Sequence, residues 1–520
     1  MAVVEQIPQI LRPAHEETSR MCPATGLRVY AGAQALTLAN AVAAVLALAL
    51  GGLFGGLIGL SRSPALEFLG PSTYYASLTA HGVAALVLWP VFFEVAAMVF
   101  TSTILLNARA YSVALGWASF ALMVVGALVT FVSIMSGEAT VMFTAYPPLV
   151  ATPAFYVGYL VFAVGTLLAI VNFALSIVKA RVEGVITGSL PVITYGVACA
   201  AILALLSILS GLVALVPALF YSLGWIEGLD PIVYRGWFWG LGHTLQYVNI
   251  VAMVVAWYGI IALAYRAGPV NQKFTRIAFI LYLVIALPVL GHHFLVDPTL
   301  GNGVKFVGGT MMGFLLGVPS LMHGLAVMGG VEYGLRREGA TGLFGWLKRL
   351  DWTSYGTAAL AGSLLIFAVG GWSGTVETTL PLNLVNHNTM GVPAHLHSTV
   401  VGGMTIAFMG VAYYLVPLLT TRRLWGGKLA TVQAYAYTAG LTIMIAGQTW
   451  AGILGVPRRT QSASYGGDLP TGWDASMNLN AIGVAIAAPA GALFVVIMVM
   501  TIVAGKKTSV AEELVPSGTH

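Results

Sequence analysis

The sequence predicts an all-α membrane protein: a polytopic bundle of about twelve transmembrane helices with both termini on the cytoplasmic side. Three observations carry this prediction. Only 8% of the 520 residues are charged and 58% are hydrophobic, with a mean hydropathy of +0.89, far from the composition of an ordinary soluble domain. Twelve apolar runs start near residues 27, 72, 112, 154, 189, 233, 274, 303, 355, 388, 430 and 477, each long enough to cross a hydrocarbon core of about 30 Å. With the N-terminus inside, 18 of the 23 Lys and Arg fall on the cytoplasmic side and only Arg62, Arg235, Lys305, Arg458 and Arg459 fall outside. That positive-inside bias also supports an even number of spans.

The first span is long and follows a polar tail of about 26 residues, so no run reads as a cleavable signal. The chain divides into a cytoplasmic tail over 1–26, a membrane domain over 27–505 and a second tail over 506–520. Its longest loops are the basic stretch from Arg336 to Asp351 inside and the Gly/Ser-rich stretch from Arg458 to Asp474 outside. The net charge of +5 is accounted for by topology, and nothing in the chain points to nucleic acid. Cys22 and Cys199 lie far apart on different kinds of segment, which indicates neither a disulfide framework nor a thiolate metal site.

Six histidines lie in the apolar runs: His81, His243, His292, His293, His395 and His397. Imidazoles are costly in hydrocarbon, and a set of six is explained by metal ligation far more readily than by packing. Topology puts all six in the outer part of the bilayer at similar depth, as a shared cofactor layer requires. His395 and His397 are two residues apart, about 200° around a helix, so they face opposite sides and each can serve a separate haem. His292 and His293, adjacent and about 100° apart, can converge with His243 on one ion. Three neutral nitrogens suit copper, or non-haem iron if a carboxylate joins them. His81 is left to supply the second axial ligand of one haem. His323 on its own reads as a packing or hydrogen-bonding residue, and His15, His387 and His520 are assigned no ligation.

Further motifs surround these histidines: Tyr-Pro-Pro at Tyr146 to Pro148, His-His followed by Asp297-Pro298, Val-Pro-Ser-Leu-Met at Val318 to Met322, His-Asn-Thr at His387 to Thr389, Val-Pro-Ala-His-Leu-His ending at His397, and Pro-Arg-Arg at Pro457 to Arg459. Through them the chain resembles subunit I of the haem-copper respiratory reductases, the cytochrome oxidase subunit I superfamily, and within it the B-type branch of ba-type oxidases. The resemblance implies that His81 and His397 are the axial ligands of a low-spin haem and that His395 is the proximal ligand of a high-spin haem. It implies that His243, His292 and His293 hold copper facing that second haem, and that Arg458 and Arg459 pair with haem propionates, which suits the guanidinium fork. A high-spin haem with one axial imidazole leaves its distal face open, and a nearby three-coordinate metal can hold a small gas against it.

The gas is dioxygen or nitric oxide. Dioxygen reduction benefits from a tyrosine linked to a copper-ligating His, and Tyr247 lies one turn beyond His243 on the same helix face. Other neighbours depart from the oxidase pattern. Thr244 stands where these members have Pro, Gln246 precedes the tyrosine, Val254 stands for a tyrosine and His323 for a threonine on the proton-conducting line, and Asn383 and Gly391 replace an aspartate and a tryptophan near the haems. Tyr258 and Ser320 are kept. Val254 reads as an interruption of the proton wire, as expected of a B-type relative that reduces nitric oxide to nitrous oxide. The balance falls narrowly to nitric oxide, with dioxygen reduction by a proton-pumping cytochrome c or quinol oxidase as the alternative. Glu94, thirteen residues beyond His81, is a candidate for proton uptake or a snorkelling acid, and Glu138 is a candidate for proton delivery from outside or a solvated loop acid.

A transporter with twelve spans is the main rival from another class, but six co-planar histidines have no role in most transporters. A di-haem electron carrier would leave the His292-His293 pair without purpose. The chain lacks the paired cysteines of a dinuclear copper centre and a Cys-x-x-Cys-His haem attachment motif. Electrons are therefore expected from a subunit II with an outer-face electron-input domain, supplied by cytochrome c, a small copper protein or quinol. The expected location is a prokaryotic plasma membrane.

Overall fold

A computed structural model describes residues 18–298, 300–462 and 468–515; His15 and His520, named above, lie outside the described residues. Twelve helices match the twelve predicted runs. They are α1 (Ala31–Ser61), α2 (Pro71–Ser102), α3 (Val113–Met135), α4 (Pro153–Val182), α5 (Val192–Ser222), α6 (Pro231–Ala264), α7 (Gln272–Ile285 continued by Pro288–Phe294), α8 (Asn302–Arg337), α9 (Tyr355–Thr378), α10 (Gly391–Thr420), α11 (Gly427–Ile453) and α12 (Trp473–Ala504). All are long and apolar enough to span a bilayer, with α7 counted as one bent span. The chain is thus an integral membrane protein, a polytopic all-α bundle.

Local chemistry sets the helix starts. Proline opens α2, α4 and α6, where its missing N–H has no partner to lose. Ser112, Asp230 and Asn271 cap α3, α6 and α7 by accepting from backbone N–H groups of the first turn. Ahead of α1, a small antiparallel hairpin pairs Ser19–Met21 with Arg28–Tyr30. Arg20 at its edge donates to the carbonyls of Leu418 and Leu419 at 2.9 Å each, so residues read as a polar tail are anchored to the inner end of α10.

Two packing features position the site. Small residues let backbones approach where lipid offers no hydrophobic drive: a Cβ added at Gly440 would stand 2.9 Å from Ala487 Cα, and one at Gly447 2.9 Å from Asn480 Cα, which locks α11 to α12. At the centre stand α10 and α6, whose most apolar stretches are 89% and 72% buried, against 22% for α1 at the periphery. The central helices are also irregular. Widened π-helical turns occupy Ala84–Leu88 in α2, Lys305–Met311 in α8 and His397–Thr405 in α10, and such turns concentrate at functional sites. In α7, Pro288 ends the α-helix, the axis bends by 48°, and the chain runs on as tighter 3₁₀ turns through His292 and His293.

Candidate metal centre

The six histidines converge as two groups on either side of α10. On one side the rings of His81 (α2) and His397 (α10) lie 6.1 Å apart, centroid to centroid, with planes within 23°. Two imidazoles that bind one ion from opposite sides, at about 2 Å per metal–nitrogen bond, are separated by roughly this much. Backbone carbonyls fix which nitrogen is free. His81 Nδ1 lies 2.8 Å from the carbonyl of Gly51 and His397 Nδ1 lies 2.8 Å from that of Pro393, so each ring donates there and keeps Nε2 as a lone pair.

A polar chain stands behind His397. Its Nδ1 also donates to Gln448 Oε1 at 3.0 Å, Gln448 Nε2 donates to Asn480 Oδ1 at 2.9 Å, and Asn480 Nδ2 donates to the Gly59 carbonyl at 3.1 Å. Four helices are tied to one ring by this chain. Neither Gln448 nor Asn480 was singled out by sequence, although a polar side chain inside an apolar run was the available signal. Opposite, Gly55 leaves room for His81: a Cβ there would lie 2.7 Å from two of its ring atoms.

His395 points its Nδ1 to the Gly370 carbonyl and to Ser373 Oγ, both at 3.1 Å, and a Cβ added at Gly374 would stand 3.1 Å from its ring. Its other nitrogen is left for a ligand. His395 also lies near His243 and His292.

The second group joins α6 to the end of α7. Each of His243, His292 and His293 offers a nitrogen within 4.8 Å of the others. His292 is oriented by a 2.9 Å hydrogen bond from Nδ1 to the Val289 carbonyl, and the Trp239 indole stacks on His293 at 3.6 Å with planes 6° apart. His243 Nδ1 and His293 Nε2 face each other at 3.1 Å, while His243 Nε2 is buried without a hydrogen-bond partner. Three nitrogens, with His243 buried and His292 and His293 half-buried, and no carboxylate among the described members of the group form a donor set that fits copper better than iron. The 3₁₀ turns after Pro288 bring the adjacent pair inward; the sequence reading used α-helical spacing for it.

Outside this layer lies a basic cluster. Arg235 and Arg459 stack over the Tyr146 ring, at 5.7 and 5.6 Å from its centroid, and Arg235 pairs with Asp297 at 2.9 Å. Arg458 donates to Asn388 Oδ1 at 3.0 Å, and its Nε is buried without a hydrogen-bond partner. Burial and the Arg459 cation hold the Arg458 guanidinium down to about 10, still cationic at neutral pH. Half-buried cations, with Arg235 Nε and Arg458 Nε left as unmatched donors, fit anionic groups such as propionates. A buried acid not anticipated from sequence, Glu377, accepts from Asn386 and Asn383 close by. Gly391, where a tryptophan was expected, has no space for a side chain: a Cβ would collide with Asn386, and Gly452 packs its own backbone against the Gly391 amide.

The acids and hydroxyls separate. Glu94 is 4% exposed, with Oε1 unpartnered, so it does not snorkel. Glu138 is exposed on the loop between α3 and α4, with only Thr152 Oγ1 at 3.4 Å, the position of a solvated loop acid. Tyr258, Ser320 and His323 are brought together on the other side of Tyr247, and Tyr282, absent from the sequence reading, is among them.

Residues 35–489 match the family described as Cytochrome C and Quinol oxidase polypeptide I. The chain is similar to cytochrome c oxidase subunit 1 of Thermus thermophilus, with 34% identity over 443 residues covering 82% of this chain and 77% of that protein. It is 25% identical over 396 residues to cytochrome bo(3) ubiquinol oxidase subunit 1 of Buchnera aphidicola, covering 69% of this chain and 55% of that one. The structure of a haem-copper terminal oxidase dimer superposes with a TM-score of 0.85 at 26% identity, covering 95% of this chain and 88% of that one. The likeness in sequence, fold and donor set has one conclusion: the chain belongs to the cytochrome c and quinol oxidase polypeptide I family, a haem-copper membrane oxidoreductase subunit I that binds two haems and one copper.

Proposed function

We propose that the chain is the catalytic subunit of a terminal oxidase that reduces dioxygen to water. The observation that carries this reading is Tyr247, whose ring centroid lies 4.8 Å from that of His243. Reducing one dioxygen takes four electrons and four protons, and a phenol beside the centre holds both a proton at Oη and an electron that can be withdrawn from the ring. Nitric oxide reduction takes two electrons and two protons for each nitrous oxide and needs no electron from a phenol. The relatives above are oxidases by name, which also favours dioxygen over the nitric oxide preferred from sequence.

In this reading His81 and His397 hold the low-spin haem, His395 the high-spin haem, and His243, His292 and His293 the copper. Arg458 and Arg459 receive propionates. When bound, these groups deliver electrons and hold the gas between them. The protein fixes geometry: Gly51, Pro393 and Gln448 set the tautomers on one side of α10, and Gly370, Ser373, Val289 and Trp239 orient the rings on the other. Subunits I of this family work with a subunit II and with cytochrome c or quinol. For this chain the proposal is a subunit II on the outer face that receives electrons from cytochrome c, a small copper protein or quinol. The membrane is a prokaryotic plasma membrane, with the site layer in its outer half.

The test is turnover of the purified complex with an artificial donor, following dioxygen in one cell and, without air, nitric oxide and nitrous oxide in another. Fast dioxygen uptake with slow nitric oxide loss is expected; stoichiometric nitrous oxide with negligible dioxygen uptake would overturn the reading. A second prediction tests the ligand assignment. In Gly55→Ala the new methyl displaces the His81 ring, and low-spin haem affinity should fall about 10–100-fold while high-spin haem and copper stay. Reduced-minus-oxidised spectra and metal analysis of the purified variant measure both.

A further inference from the structure

The amide chain behind His397 can run in one direction only. At its far end stands the Gly59 carbonyl on α1, which accepts and cannot donate, so Asn480 on α12 must turn Nδ2 to it, at 3.1 Å. That leaves Asn480 Oδ1 facing Gln448 on α11, which must answer with Nε2, at 2.9 Å, and so presents Oε1 to His397 Nδ1 at 3.0 Å. Both amides are buried, and reversing their order would set carbonyl against carbonyl at Gly59. Hydrogen bonds in such a chain polarise one another, so Gln448 Oε1 is a stronger acceptor than an isolated amide oxygen. The same ring N–H also faces the Pro393 carbonyl at 2.8 Å, whereas among the described residues the acceptor at His81 Nδ1 is the Gly51 carbonyl alone. Packing does not require the chain, because Gly440 and Gly447 already bring the backbones of α11 and α12 together.

We infer that Gln448 is a positioning residue that sets the reduction potential of the low-spin haem, by drawing on the Nδ1 proton of His397 and so making its Nε2 a stronger electron donor to iron. This rests on reading His81 and His397 as the ligands of that haem. A ligating histidine whose N–H is held by outer acceptors is a more basic ligand at its other nitrogen. Electron density given to the iron favours the ferric over the ferrous form, so the potential falls. The proton stays on Nδ1 throughout, and no bond is made or broken. On the other side of α10 the matching place behind His395 is held by Ser373, a single hydroxyl that donates its own proton to the Gly370 carbonyl at 2.9 Å and has no amide behind it among the described residues. Two imidazoles of one helix are thus supplied unequally, in the sense that favours electron flow from the low-spin haem to the high-spin one.

The experiment uses the intact complex with Gln448→Met, Gln448→Glu and Asn480→Ala. Gln448→Met keeps the length of the side chain and removes the acceptor. The equilibrium between the low-spin haem and a mediator dye of fixed potential should shift toward reduced haem by about tenfold, the lower end of what an outer partner of a metal-bound histidine carries. Low-spin haem content and its bis-histidine spectrum should stay as in wild type. Gln448→Glu restores the chain, since a protonated carboxyl donates to Asn480 Oδ1 and its carbonyl oxygen accepts from His397, so the equilibrium should return to the wild-type value or pass it toward oxidised haem. A space-filling role would not order Met and Glu in this way. Asn480→Ala removes the polarising end and should shift the equilibrium in the same direction as Gln448→Met by a smaller factor. A shift under about twofold in Gln448→Met, below the range for an outer partner, or an equal shift in Gln448→Glu, overturns the inference; Asn480→Ala decides by the same threshold where Gln448→Met fails to bind haem. A wild-type complex without a bis-histidine low-spin spectrum would overturn the ligand assignment itself, and this inference with it.

Discussion

Purified His292→Ala protein is expected to keep both haems, to lose its copper and to turn dioxygen over at least about 10³-fold more slowly than wild type. The reasoning is geometric. Three imidazole nitrogens within 4.8 Å form the donor set, and His292 is oriented independently of the other two, through Nδ1 on the Val289 carbonyl. Removing it leaves His243 and His293, whose facing nitrogens 3.1 Å apart can close a hydrogen bond with each other and so lose the ion. The substitution removes an imidazole from short 3₁₀ turns beside the bend, distant in sequence from the α2 and α10 histidines, so haem binding should survive. The copper-to-haem ratio of the purified variant, measured beside its turnover, checks the prediction. Full copper with full turnover would sink the assignment of this trio.

What the sequence could convey follows from which forces are local. Twelve apolar runs became twelve helices because spanning a membrane imposes length and composition on each segment separately. The opposite facing of His395 and His397 was equally legible, since a spacing of two fixes their angle on any helix, and the structure gives the two rings different partners on α9 and α11. The contact of His292 and His293 with His243 was inferred with the wrong local geometry, because the break at Pro288 depends on how α7 ends against its neighbours.

Interhelical partners were beyond reach. Gln448 and Asn480 are ordinary polar letters until α11 and α12 dock through Gly440 and Gly447 and aim them at His397. Tyr282 was not singled out because the sequence compares each helix with itself. Sequence alone gives no sign that Tyr282 on α7 bonds Ser320 on α8. Gly391 has the same lesson in reverse: a side chain there would meet Asn386, and the bare backbone lets α11 pack closely on it at Gly452.

The choice of gas rests on Tyr247, and Tyr247→Phe is the variant that isolates it. The substitution removes one oxygen atom and leaves the ring that packs beside His243 at 4.8 Å and Tyr282 at 6.3 Å, so haem and copper contents should equal those of wild type. Dioxygen turnover is expected to fall at least about 10²-fold, because the centre loses both a proton at Oη and a source of the fourth electron. Nitric oxide takes two electrons and two protons for each nitrous oxide formed, so any nitric oxide turnover of the complex should change less than about threefold, apart from the share of protons that pass through Oη. Measuring both gases on one preparation makes the ratio the readout, independent of yield. Equal losses for the two gases would make Tyr247 a proton donor alone. Undiminished dioxygen turnover would remove the observation on which the oxidase reading stands.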